Sequence, residues 1–216
     1  MCSLPTDTKY GSLQGMTTAP RRPRRHPTRK LHLEQGRKLS GAFNRARQIG
    51  FPLNCLVTLH WGLADSGVEP FDRWVRLCEA MGKWLARMGC PPTWAFVREK
   101  GLAELEHMHL AIHVPKNRSA EQVKAAFERW IAVGAAHVDP AAVDVKLQRT
   151  PSMVALMRYL LKGGDSLVRR SFSVPKHYEG DQGIIHGKRL GVSRNLDSRA
   201  RADALLEDDT SAVAAE

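Results

Sequence analysis

The chain has 216 residues, 43% of them hydrophobic, and a formal net charge of +11. That length and apolar content suffice for one core of ordinary size with flanking tails and require no second domain. The basic excess disfavours acidic partners and favours polyanions, nucleic acid first, although basic tails alone would produce the same number. Cys2, Cys55, Cys78 and Cys90 show neither a CxxC spacing nor a disulfide framework. No apolar run approaches the ~20 residues of a spanning helix, and the N-terminus lacks the apolar centre of a signal peptide. A cytoplasmic protein without a membrane partner is expected.

Residues 1–50 form a basic N-terminal extension, its first part disordered and its second, GRKLSGAFNRARQ, a short basic helix. Arg21, Arg22, Arg24 and Arg25 lie in PRRPRRHPTRK; they are candidates for phosphate contacts, with a solubilising tail as the alternative. From Phe51 the texture changes. LNCLVTLHW reads as a strand, and Pro70 to Met88 places Phe71, Trp74, Leu77, Cys78, Met81 and Leu85 at helical spacing until Gly89 and Pro91 stop it. TWAFVREK and EHMHLAIHVP are two further strands with a turn between them. Ser119, with Gln122 three residues later, opens a helix through Val133 in a capping box. VDVKLQR is a fourth strand, and Pro151 opens a helix, SMVALMRYLLK, that ends at Gly163-Gly164. The order β-α-β-β-α-β-α predicts an α+β domain over 51–164, a ferredoxin-like split βαβ arrangement whose antiparallel sheet carries helices on one face and leaves the other open. Residues 165–216 form a C-terminal extension with a basic stretch, HGKRLGVSRNLDSRAR, and an acidic tail; Lys188, Arg189 and Arg194 are its candidate DNA contacts.

Chemistry concentrates on two elements. Side chains alternate across a strand, so His107 and His109 share one face while Met108, Leu110 and Ile112 face the helices. Two residues apart is roughly 6.6 Å of backbone, close enough for two imidazoles to meet one cation. His113, about 13 Å beyond His109, is too far to join without a bend and either touches DNA or is incidental. A hairpin centred on Ala103 puts Glu99 opposite His107, on the face of Val97, Ala95 and Thr93. Two imidazoles and one carboxylate suit a catalytic divalent cation with open positions, Mg²⁺ or Mn²⁺ when phosphates complete the shell; zinc satisfies the same ligands. On the last helix Tyr159 and Lys162 are three apart and share one side. A phenolate can attack phosphorus and hold the cleaved strand as a phosphotyrosine, with the lysine stabilising the same oxygens or the phenolate.

HMH resembles the His-hydrophobic-His motif of HUH endonucleases, YLLK resembles their Tyr-x-x-Lys motif, and LVTLHW resembles the first strand motif of rolling-circle replication initiators. The resemblance covers roughly residues 53–164. It implies that Tyr159 is the nucleophile, that His107, His109 and Glu99 hold the metal and that Lys162 assists, in nicking and rejoining single-stranded DNA at an origin or hairpin of a plasmid or phage. The tyrosine follows the histidine motif, as in such initiators. Position 162 is Lys, so there is no second motif tyrosine, and GIIHGKR lacks the full GxxxxGK[ST] pattern of a helicase module; unwinding would fall to a host helicase. A single-tyrosine HUH transposase shares these ligands. A non-catalytic module that grips single strands on an open sheet face is the reading from another class, and it expects exposed aromatics on the central strands.

Overall fold

The computed structural model describes residues 27–65, 70–101, 106–133, 135–147, 153–178, 180 and 182–197, without the side chains of 65 and 70–72. In chain order the elements are α1 (Leu33–Gln48), β1 (Cys55–His60), β2 (Ala64–Asp65), α2 (Pro70–Ala86), β3 (Trp94–Glu99), β4 (His107–Ile112), α3 (Ala120–Ile131), β5 (His137–Val138), β6 (Val143–Leu147), α4 (Met153–Leu160), α5 (Ser166–Ser171) and β7 (Leu190–Val192). Five of the strands make one antiparallel sheet in the order β6-β1-β4-β3-β7, and β2 pairs with β5 in a separate ribbon. The molecule is α+β. Among the described residues no helix is long and apolar enough to cross a membrane.

The strand alternation read from the sequence accounts for one face. Val57 and Leu59 of β1, Phe96 of β3 and Met108, Leu110 and Ile112 of β4 pack against Leu77, Met81 and Leu85 of α2 and Val123, Phe127 and Ile131 of α3. The capping box forms as expected: Gln122 N–H donates to Ser119 Oγ at 3.3 Å, and Ser119 N–H to Gln122 Oε1 at 3.1 Å.

The other face is not open. Leu56, Ala95, Val97 and Ala111 supply an apolar floor there, and Leu39, Ala42, Phe43 and Ala46 of α1 and Leu156 and Leu160 of α4 cover it. Helices therefore lie on both faces, which corrects the expectation of a one-sided arrangement. The physical reason sits in the basic segment: 39, 42, 43 and 46 follow the i, i+3, i+4, i+7 spacing of a buried helical stripe, while Arg37, Lys38, Arg45 and Arg47 occupy other positions. The basic helix expected here therefore forms, as the 16-residue α1, and it packs on the sheet.

Elements on both sides of 51–164 complete the sheet and its cover. β7 pairs with β3, placing Gly191 opposite Phe96. A Cβ at Gly191 would run into the Phe96 ring. Gly191→Val is therefore expected to cost roughly 1–3 kcal/mol through overpacking, seen as a lowered midpoint in urea unfolding; an unchanged midpoint would show that β7 does not clamp β3.

Residues 28–31 act as a strap. Thr28 and Ile185 exchange backbone hydrogen bonds at 3.0 Å, Leu31 N–H donates to Gly163 O at 3.0 Å, and Asp165 N–H donates to Leu31 O at 2.9 Å. Arg189 closes the strap from behind, its guanidinium donating to the carbonyls of Thr28 and Gly183, both at 2.6 Å. With 1% of its surface exposed, Arg189 is spent inside the protein, which corrects its expected role as a DNA contact. The strap fixes the turn that follows Lys162.

Candidate metal centre

β3 and β4 pair in the register read from the sequence, with Glu99 opposite His107 and Val97 opposite His109. Period-two alternation then puts Glu99, His107 and His109 on one face, where His109 meets Tyr159 of α4. All three are buried: Glu99 0%, His109 3% and His107 6% exposed. One ligand atom from each lies within 4.8 Å of the others, so the group can hold a metal ion. Buried imidazoles rather than solvent-facing ones follow from the covered face described above.

The register also brings up residues that the sequence reading passed over. β1 places Thr58 opposite His109 and His60 opposite His107. Thr58 Oγ1 is 3.1 Å from His109 Nδ1; with the proton on Nδ1 the ring donates to Thr58 and turns the Nε2 lone pair toward Glu99. The His60 ring stacks on His107 with centroids 5.2 Å apart. Both lie on the same face of the VTLH segment, so strand alternation combined with the β1–β4 pairing would have found them. Tyr178, whose ring meets Tyr159 edge-on at 5.7 Å, stands in a short turn with no periodic signal.

α4 delivers Tyr159; it ends at Leu160, two residues earlier than expected, and the turn that follows delivers Lys162. Lys162 Nζ lies 2.9 Å from Glu99 Oε2 and 3.0 Å from His109 Nε2, and donates to Tyr159 Oη at 3.2 Å. Tyr159 Oη is itself 3.4 Å from His109 Nε2. Gly163 permits this approach, since a Cβ there would crowd Gln182 and stand 3.7 Å from Glu99 Oε1.

Burial pushes the Glu99 carboxyl up, but the nearby His107, His109 and Lys162 outweigh it and hold the group well below the usual carboxylate range. Burial holds His109 below its ordinary value against the opposing pull of Glu99, which keeps it neutral, as a metal ligand must be. Lys162 is pushed down by burial and raised further by Glu99, so it stays charged. Although His109 Nε2 and His107 Nε2 stand 3.2 and 3.6 Å from Glu99 Oε2, neither carboxylate oxygen receives a well-aligned hydrogen bond. The contacts compensate charge without satisfying direction. An ionised buried carboxylate with unfilled acceptor sites, beside two converging imidazoles, is a donor set that fits a divalent cation.

Because Thr58 sets the ring of His109, Thr58→Val is expected to weaken Mn²⁺ binding about tenfold while Thr58→Ser stays within about threefold of the parent. Calorimetric titration measures both, and equal affinities for the Val variant and the parent would remove Thr58 from the site.

The remaining expected contacts fare differently. His113 donates from Nδ1 to the Pro52 carbonyl at 2.8 Å and meets the Phe51 ring edge-on, so it braces the strand end. Lys188 and Arg194 are exposed. Arg21, Arg22, Arg24 and Arg25 lie outside the described residues. No protein-family model, curated protein or solved structure matches this chain.

Proposed function

We propose that the protein is a metal-dependent single-tyrosine endonuclease of the HUH type, nicking and rejoining single-stranded DNA as in the initiation of rolling-circle replication. One observation carries the reading: Tyr159 Oη sits 3.2 Å from Lys162 Nζ and 3.4 Å from His109 Nε2, against the Glu99-His107-His109 group. A nucleophile, a fixed positive charge and a cation-binding set thus meet within one cluster. The sheet order supports it as well, since β6-β1-β4-β3 with α2 and α3 on one face follows the ferredoxin-like split βαβ plan.

In this mechanism Glu99, His107 and His109 hold the cation, Mg²⁺ or Mn²⁺. When bound, it supplies positive charge to the oxygens of the scissile phosphate and to the departing oxygen. Tyr159 gives up its phenolic proton to solvent water, and the Lys162 ammonium stabilises the resulting oxyanion. Its oxygen forms a bond to phosphorus as the bond from phosphorus to one sugar oxygen breaks. That sugar oxygen takes up a proton from solvent water and leaves as an alcohol, while the other strand end remains on Tyr159 as a phosphodiester. The reverse attack by an alcohol rejoins the strand with no outside energy source. α4, pinned by the Gly163 turn and the residue 28–31 strap, holds the phenol in place, which is where orientation yields rate.

A non-catalytic strand-binding module expects exposed aromatics on the central strands; here the histidine-bearing face of β1, β3 and β4 carries Leu56, Ala95, Val97 and Ala111 beside the Glu99-His107-His109 group. The test of the proposal is incubation of the full chain with end-labelled single-stranded oligonucleotides and Mn²⁺. A labelled adduct that survives denaturing electrophoresis and disappears with EDTA is expected. Oligonucleotides containing hairpins that yield no adduct at any sequence would overturn it.

A further inference from the structure

Two of the three atoms available to a cation already face a positive charge of the protein's own. Lys162 Nζ is 2.9 Å from Glu99 Oε2 and 3.0 Å from His109 Nε2, and those two atoms are 3.2 Å apart. The ammonium therefore caps the pair from one side at hydrogen-bond distance. A divalent ion held there would need the His109 Nε2 lone pair that the ammonium meets and the Glu99 Oε2 charge that it neutralises. The imidazole makes the conflict sharp, because Nε2 offers one lone pair in the ring plane and Thr58 holds the ring through Nδ1. A second positive charge brought within a few ångströms of the ammonium in a buried site is also strongly repelled.

We infer that Lys162 is an intramolecular competitor for the metal site: its ammonium and a divalent cation hold Glu99 Oε2 and His109 Nε2 alternately. The inference rests on Glu99, His107 and His109 being the metal ligands and is independent of nicking. Lys162 has the means to yield. Its side chain is 15% exposed, it has a flexible four-carbon stem, and Tyr159 Oη, 3.2 Å away, already accepts from it and can keep it. Entry of the cation thus takes the ammonium off Glu99 and His109 and leaves it on the phenol oxygen, which it already meets. One lysine neutralises the buried carboxylate before the cation enters and stays with the nucleophile afterwards. The competition has a cost, which is that the protein binds its cation more weakly than the donor set alone would allow.

An ammonium that merely orients Glu99 makes the opposite prediction, and the two are separated by metal affinity rather than activity. Binding of Mn²⁺ alone to the full chain is measured by the loss of the free-ion paramagnetic resonance signal, for the parent and for Lys162→Met, Lys162→Gln and Lys162→Arg. The Met and Gln variants are expected to bind at least about tenfold more tightly than the parent, and the Arg variant, which keeps the charge, to stay within about threefold of it. Adding Glu99→Gln to Lys162→Met is expected to abolish the gain. If the Met variant fails to fold, the Gln variant, which keeps an N–H donor toward Glu99, carries the comparison, and the Mn²⁺-induced rise in its melting temperature repeats it. Affinity in the Met and Gln variants equal to or weaker than in the parent overturns the competition and leaves the metal ligands standing. No Mn²⁺ binding by any of the proteins overturns both together.

Discussion

Tyr159→Phe is expected to abolish the covalent protein–DNA adduct and to lower nicking by at least about a thousandfold. The substitution removes one oxygen. The ring keeps its edge-to-face contact with His109, with centroids 5.0 Å apart, and Leu156 and Leu160 still anchor α4 in the core. Folding and Mn²⁺ affinity should therefore match the parent closely, and the loss should appear in kcat. The structure adds a control that the sequence did not suggest. Tyr178 stands beside Tyr159, so it is the one other phenol among the described residues with a ring near the cluster. A residual adduct in Tyr159→Phe that vanishes in the Tyr159→Phe/Tyr178→Phe double variant would transfer the nucleophile to Tyr178. Nicking at near the parental rate with no adduct in either would make water the nucleophile and end the phosphotyrosine reading.

What could be read from the chain follows from how local the determinants are. The Glu99–His107 register was legible because side chains alternate with period two and a one-residue slip would send Phe96 and Met108 to the opposite face. The Ser119 cap, the three-residue Tyr159–Lys162 spacing and the glycine stop after Lys162 are local in the same sense. The cover over the histidine face was not. In α1 the stripe of Leu39, Ala42, Phe43 and Ala46 is half alanine and interrupted by Arg45, so the basic residues dominate any reading of that segment. β7 has three residues, one of them Gly191, which is too short for alternation to register. Arg189 looked like a surface cation because charge is a property of composition, whereas its burial depends on carbonyls of Thr28 and Gly183, the former 161 positions away. Thr58 and His60 lay in between: their strand was recognised, but their part in the site appears only once β1 is paired with β4.

Glu99→Gln is expected to lower Mn²⁺ affinity by at least about a hundredfold and to reduce adduct formation to background, because it keeps the size of the side chain and removes the one negative ligand. EDTA added to the parent should stop cleavage in the same way while leaving the domain folded, since the two apolar cores hold the sheet without the cation. The variant also makes a prediction about pH that is independent of DNA. In the folded chain the Glu99 carboxyl is held below its ordinary value of 4.5. A group lowered on folding contributes stability that is fully present above its unfolded value and is lost as pH falls through the folded one. At neutral pH, in chelator, the parent should therefore melt several degrees above Glu99→Gln, whose Lys162 ammonium has lost its anionic partner. The gap should begin to narrow below the ordinary carboxylate range and close as Glu99 takes up its proton, which thermal melts from pH 7 downward would follow. A gap that stayed constant into strong acid would mean that the Glu99 side chain stabilises the fold by packing alone. The charge balance among Glu99, His109 and Lys162, on which both the proposed metal site and its proposed internal competitor depend, would then have to be redrawn.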